Sequence, residues 1–159
     1  MNHSKFMEEK EDKIVKVGII GAMEQEVALY LQEMEVTNTQ RNAGIDYREG
    51  TLFNQDVVVC QCGVGKVNAA FCTEILITGY GVEAVIFTGV AGALHPDLNI
   101  GDVFVSSECQ QHDIDASPLG FPVGAIPFHP RSVFKADDRL VDLAVRAGRE
   151  ASGYATDTL

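Results

Sequence analysis

A chain of 159 residues with 46% hydrophobic side chains carries enough apolar material for one folded domain with a real core. Its 23 acidic against 12 basic residues give a formal charge of −11, and no stretch gathers Lys and Arg into a stripe that could neutralise phosphates, which argues against nucleic acid as a partner. No apolar run reaches the ~18 residues of a membrane-spanning helix, and the polar start MNHSKFMEEKEDK lacks the apolar centre of a signal peptide, so the expectation is a cytoplasmic protein without a membrane partner.

Residues 1–13 are polar, with no periodicity that could bury a face, and read as a mobile tail ahead of a folded domain over residues 14–159. IVKVGII has the continuous β-branched character of a strand buried on both faces, and GAMEQEVALYLQEM follows at helical spacing. IDYREGTLF and DVVVCQ read as two strands joined by an Asn54-Gln55 turn. GVGKVNAAFCTEILITGYG reads as a glycine turn feeding a helix that stops at Gly79 and Gly81.

VEAVIFTGVAGAL is a buried strand ending in a glycine-bearing loop, and GDVFVSSEC a further strand. His112 to Phe134 is rich in Pro, Gly and Phe without either period, and reads as a long ordered loop. Asp137 or Asp138 then caps a helix through RLVDLAVRAGREA, with Gly153 as a stop. The pattern is α/β, a central sheet covered by helices. After that helix the alternation calls for another strand, and YATDTL does not supply one, so the fold reads as unfinished at its C-terminal end.

Four cysteines, Cys60, Cys62, Cys72 and Cys109, sit in apolar contexts and read as reduced core thiols, the first two facing the same way along a strand. No metal site is expected: Cys60-x-Cys62 and His112-Asp113-x-Asp115 lack further ligands at a fixed spacing, and His95 and His129 read as loop residues. Gly18-Ile-Ile-Gly21 is not G-x-G-x-x-G, and the following helix opens with Glu24 and Glu26, which would repel a phosphate. These two carboxylates are either helix stabilisers or catalytic groups. Gly63-Val-Gly65-Lys66 lacks the flanking residues of a triphosphate loop and allows a tight turn or a close approach to a ligand. Thr88-Gly-Val-Ala-Gly92 lies where ligands of open α/β sheets collect; it suits an uncharged ligand or, equally, close strand-to-helix packing. No G-x-S-x-G elbow is present.

Taken together, GIIGAMEQEV, GVGKVNAA, FTGVAGAL, GDVFVSSE, the HDID loop and FKADDRL resemble, in order and spacing, the 5'-methylthioadenosine/S-adenosylhomocysteine nucleosidases of the nucleoside phosphorylase and hydrolase superfamily. The resemblance runs from about Ile14 onward. It implies a three-layer α/β/α fold with a central mixed sheet, a homodimer, an adenine nucleoside substrate and no cofactor.

Carried over residue by residue, the resemblance makes Glu26 the general base that draws a proton from water. Ala22 and Met23 would line the site beside it, and Val64, Val90, Ala91 and Gly92 would shape the ribose and alkylthio pocket, with Gly92 as the direct contact. Leu119 resembles an apolar pocket position, and Phe121 and Pro127 resemble residues lent to the partner's site. The family's ribose-holding Met-Glu pair, its proton-donating Asp and a segment covering one purine face have no counterpart up to Leu159. The expectation is therefore an N-terminal portion whose isolated 159 residues turn over little or nothing. The alternatives are a non-catalytic truncated module, a futalosine hydrolase and a nucleoside phosphorylase.

Overall fold

The computed structural model describes residues 16–152; the expected tail over residues 1–13 and the expected helix stop at Gly153 lie outside them. The chain divides into two compact units, one ending at Gly92 and the other beginning at Ala93.

In the first unit, strand β1 (Lys16–Gly21) leads into helix α1 (Glu24–Glu33), followed by β2 (Glu35–Asn42), β3 (Ile45–Leu52), β4 (Gln55–Gln61), α2 (Lys66–Tyr80) and β5 (Ala84–Phe87). The five strands form one mixed sheet in the order β2-β3-β4-β1-β5. β1 runs parallel to both β4 and β5, whereas β3 is antiparallel to β2 and β4. Alternation along β1 and β4 splits their side chains between two apolar layers. Val17, Ile19, Val57 and Val59 pack with Val27 of α1, and Met34 just after that helix joins them. Ile20, Val58 and Cys60 point the other way, onto Cys72 and Leu76 of α2 and onto Tyr47. A helix therefore covers each face, and the expected three-layer α/β/α arrangement is present.

Gly18 belongs to this packing: a Cβ there would lie 3.0 Å from Leu76 Cδ1 and 3.3 Å from Val82 Cγ2, so α2 could not approach β1 so closely. The hairpin between β3 and β4 turns on Phe53 and Asn54, both at positive φ (49° and 64°), one residue earlier than the expected Asn54-Gln55 turn. β2, fully exposed and polar, gave no apolar alternation by which to find it; its partner β3 holds it through the antiparallel ladder.

The second unit contains a short antiparallel pair, β6 (Glu108–Gln110) with β7 (Val133–Lys135), a 3-10 turn at Ser117–Leu119 and helix α3 (Asp138–Ser152). Asp137 caps α3, its Oδ1 accepting the Leu140 N–H at 3.0 Å. The loop between β6 and β7 is ordered by its own bonds: Gly124 N–H donates to Ile114 O at 2.7 Å, Gln110 Nε2 to Gly124 O at 3.1 Å, and Ile126 N–H to Ser132 Oγ at 2.9 Å. Two expectations change here. The strand expected over GDVFVSSEC is confined to its end: residues 102–107 join neither sheet, and Val103 and Phe104 stay exposed. Cys109 is likewise exposed, not a core thiol, whereas Cys60, Cys62 and Cys72 are free and buried. Among the described residues, no helix is long and apolar enough to cross a membrane.

Candidate active site

Parallel pairing brings three strand ends to one edge of the sheet. Gly21 at the end of β1 lies opposite Gln61 at the end of β4, and Ile20 opposite Phe87 at the end of β5. The ladder continues one step into the loops, with Cys62 N–H on Gly21 O at 2.8 Å and Thr88 N–H on Ile20 O at 2.9 Å. Ala22 and Met23 leave β1, Val64 leaves β4 and Val90 leaves β5 at this same edge, the carboxyl end of the parallel strands, where open α/β sheets place their ligands.

Glu26 connects two of these exits. It occupies the third position of α1, and its Oε2 accepts the N–H groups of Ala22 at 2.7 Å and Met23 at 2.9 Å. Its Oε1 accepts the Val90 N–H at 3.0 Å, from the loop after β5. The Met23 bond is the ordinary reach-back of a helix cap. The Val90 bond spans 64 residues and is not needed to start a helix. These amide bonds, that to Val90 first, hold the Glu26 carboxyl below its ordinary value of 4.5, and partial burial opposes them only in part. The result is a half-buried carboxylate that stays ionised, with three of its roughly four lone-pair positions filled. Glu24, in the same helical turn, is exposed to solvent.

The other first-unit residues surround this edge with little polarity. Ala22 is half-buried against the α2-side core, and Met23, Val64, Val90, Ala91 and Gly92 are exposed. Val64 O accepts Asn68 Nδ2 at 2.9 Å, which ties the GVGK turn to α2. Gly63 and Gly65 adopt φ of 81° and 106°, so turn geometry alone demands them. Burial pushes the Cys62 thiol up, as do nearby Cys72 and Glu26, which disfavours its thiolate.

Leu119, Phe121 and Pro127 belong to the second unit. Leu119 is exposed at the end of the 3-10 turn, Phe121 meets Phe128 edge-on at 5.3 Å between ring centroids, and Pro127 is half-buried. In the HDID segment, Asp115 has a local task, its Oδ1 accepting the Ser117 N–H at 2.9 Å to start that turn.

The sequence matches the phosphorylase superfamily over residues 16–157. The chain belongs to that superfamily. Within it, the chain is similar to the 5'-methylthioadenosine/S-adenosylhomocysteine nucleosidase of Hydrogenovibrio crunogenus, 42% identical over 133 residues that make up 84% of this chain and 57% of the relative. It is also similar to the nucleosidase of that name from Neisseria meningitidis, solved with methylthio-immucillin-A, at a TM-score of 0.85 and 36% identity over 91% of this chain and 62% of the other. The futalosine hydrolase of Helicobacter pylori matches at a TM-score of 0.80 and 28% identity, again over 91% and 62%. The chain thus spans about three-fifths of the length of these superfamily relatives.

One residue of the site went unseen in the sequence. Gly89, in the TGVAG loop, abuts the Glu26 carboxylate, while Gly92 of the same loop, expected as a substrate contact, has open space about its α-carbon. Any glycine in such a loop reads as a turn residue, and the signal that singles out Gly89 is a neighbour 63 residues away in sequence.

Proposed function

We propose that this chain carries the water-activating side of a 5'-methylthioadenosine/S-adenosylhomocysteine nucleosidase site, with Glu26 as the group that acts on water. The observation that carries the reading is the Glu26 carboxylate fixed by three backbone N–H groups from two strand exits. Ala22, Met23, Val64, Val90, Ala91 and Gly92 bound the pocket for the ribose and its alkylthio arm, their apolar surface suiting an uncharged ligand. By the family resemblance, Leu119 is an apolar pocket position, and Phe121 and Pro127 are residues lent to the partner's site in a homodimer. Three buried free thiols favour a reducing compartment, the cytoplasm.

The chemistry matches the kind of carboxylate Glu26 is. Breaking the bond between the sugar carbon and the purine nitrogen leaves an oxocarbenium-like ribosyl cation, while the electron pair leaves with the purine and is neutralised by a proton. Water then forms the new bond to the sugar carbon. Its proton passes to Glu26. A carboxylate with a lowered pKa is a weak base, but water attacking a cation sheds its proton readily, so orientation and negative charge matter more than basicity. The step uses a carboxylate and water, without metal or cofactor.

The test is adenine release from methylthioadenosine without phosphate, by the 159-residue chain and its Glu26→Gln variant. The purine takes its proton from solvent, so the expected release is slow and falls about a hundredfold or more in the variant. Release that requires phosphate would replace hydrolysis by phosphorolysis. Release from futalosine but not methylthioadenosine would favour the reading that the Helicobacter pylori likeness supports. A folded chain that neither binds nor cleaves an adenine nucleoside would be a non-catalytic module.

A further inference from the structure

The Val90 N–H can meet Glu26 Oε1 at 3.0 Å only if the residue before it stays out of the way. That residue is Gly89. A Cβ added to it would fall on Oε1 and lie 2.7 Å from Cδ and 3.1 Å from Oε2. Such distances are closer than atoms pack, so the carboxylate would have to leave. The turn itself does not ask for glycine, because Gly89, unlike Gly63 and Gly65, does not adopt a positive φ. Space is the reason. On the other side of the same side chain, a Cβ on Gly21 would lie 3.0 Å from Glu26 Cβ and 2.7 Å from Val27 Cγ1, so the stem of Glu26 is also confined.

We propose that Gly89 is a positioning residue: its bare α-carbon is the surface on which the Glu26 carboxylate is set, fixing Oε1 on the Val90 amide. Gly89 is exposed, so the same missing side chain leaves the last lone-pair position of Oε1 open to a water molecule. This rests on the proposed role of Glu26, yet the placement can be read without turnover. An alanine at 89 meets the mobile end of a side chain, not a rigid backbone, so the variant is expected to fold with Glu26 displaced.

The experiment compares wild type, Gly89→Ala and Gly79→Ala, the last being a control on α2 where a Cβ makes only an ordinary 3.7 Å contact with Ile75. The Glu26 carboxyl is titrated by NMR in protein labelled at the glutamate carboxyl carbon. In Gly89→Ala, loss of the Val90 N–H should raise its pKa toward 4.5, while Gly79→Ala leaves it unmoved. Where adenine release is measurable, kcat should fall about a hundredfold with a much smaller change in KM. An unchanged Glu26 titration in folded Gly89→Ala overturns the proposal, and absence of adenine release leaves this readout intact. If Gly89→Ala does not fold, Glu26→Ala is added: recovery of the fold supports the clash with Glu26, and failure to recover overturns it.

Discussion

Glu26 is a residue whose charge state affects stability and, under the proposed function, chemistry. Its folded-state pKa is held below 4.5, chiefly by the Val90 and Met23 amides, so folding favours its ionised form. That contribution is fully present above the unfolded value and disappears as the pH falls through the lowered folded value. Thermal melts of wild type and Glu26→Gln should differ most near neutral pH and converge in the acid range below 4.5. A gap that stays constant down to the lowest pH would mean that ionisation of Glu26 contributes nothing to it. The role of Glu26 was half legible in sequence: an acidic residue in a first helical turn is commonly a stabiliser, and here it does contribute a cap through Met23. What separates it from Glu24 is the bond to Val90, which no local pattern announces.

At the scale of elements, legibility followed burial. β1 and β4 are buried on both faces and show it as apolar runs; α2 begins and ends at glycines, as expected. β2 has no buried residue and left no mark, while GDVFVSSEC carries a strand pattern that forms no strand over residues 102–107. The end of α2 allows a sharper test, because sequence named both Gly79 and Gly81 as stops and only Gly81 takes the left-handed conformation, at φ 65°. Gly79 is still helical, so Gly79→Ala should stabilise by about 0.5–1 kcal/mol through helix propensity. Gly81→Ala has open space but the wrong backbone region, and should cost about 1 kcal/mol. Opposite shifts in Tm place the end of the helix at Gly81; two stabilising shifts would place it further on.

For the whole molecule, the layered first unit and the sparsely paired stretch after Gly92 imply unequal resistance to opening. β1 and β4 lie inside the sheet, with neighbours on both edges and Ile20, Val58, Val59 and Cys60 wholly buried. Residues 93–107 contribute no strand, and Leu94 and Ile100 are fully exposed. In hydrogen exchange followed by mass spectrometry, peptides over residues 16–21 and 55–61 should exchange last, those over 35–42 sooner because β2 is an exposed edge, and those over 93–107 first. The last group decides between two pictures of one segment. Its consecutive Val103, Phe104 and Val105 predict a strand, whereas residues 102–107 join no sheet. Fast exchange supports the arrangement without a strand. Protection matching that of β4 would show that residues 102–107 find a strand to pair with in solution, and that the apolar run outweighs the arrangement in the structure.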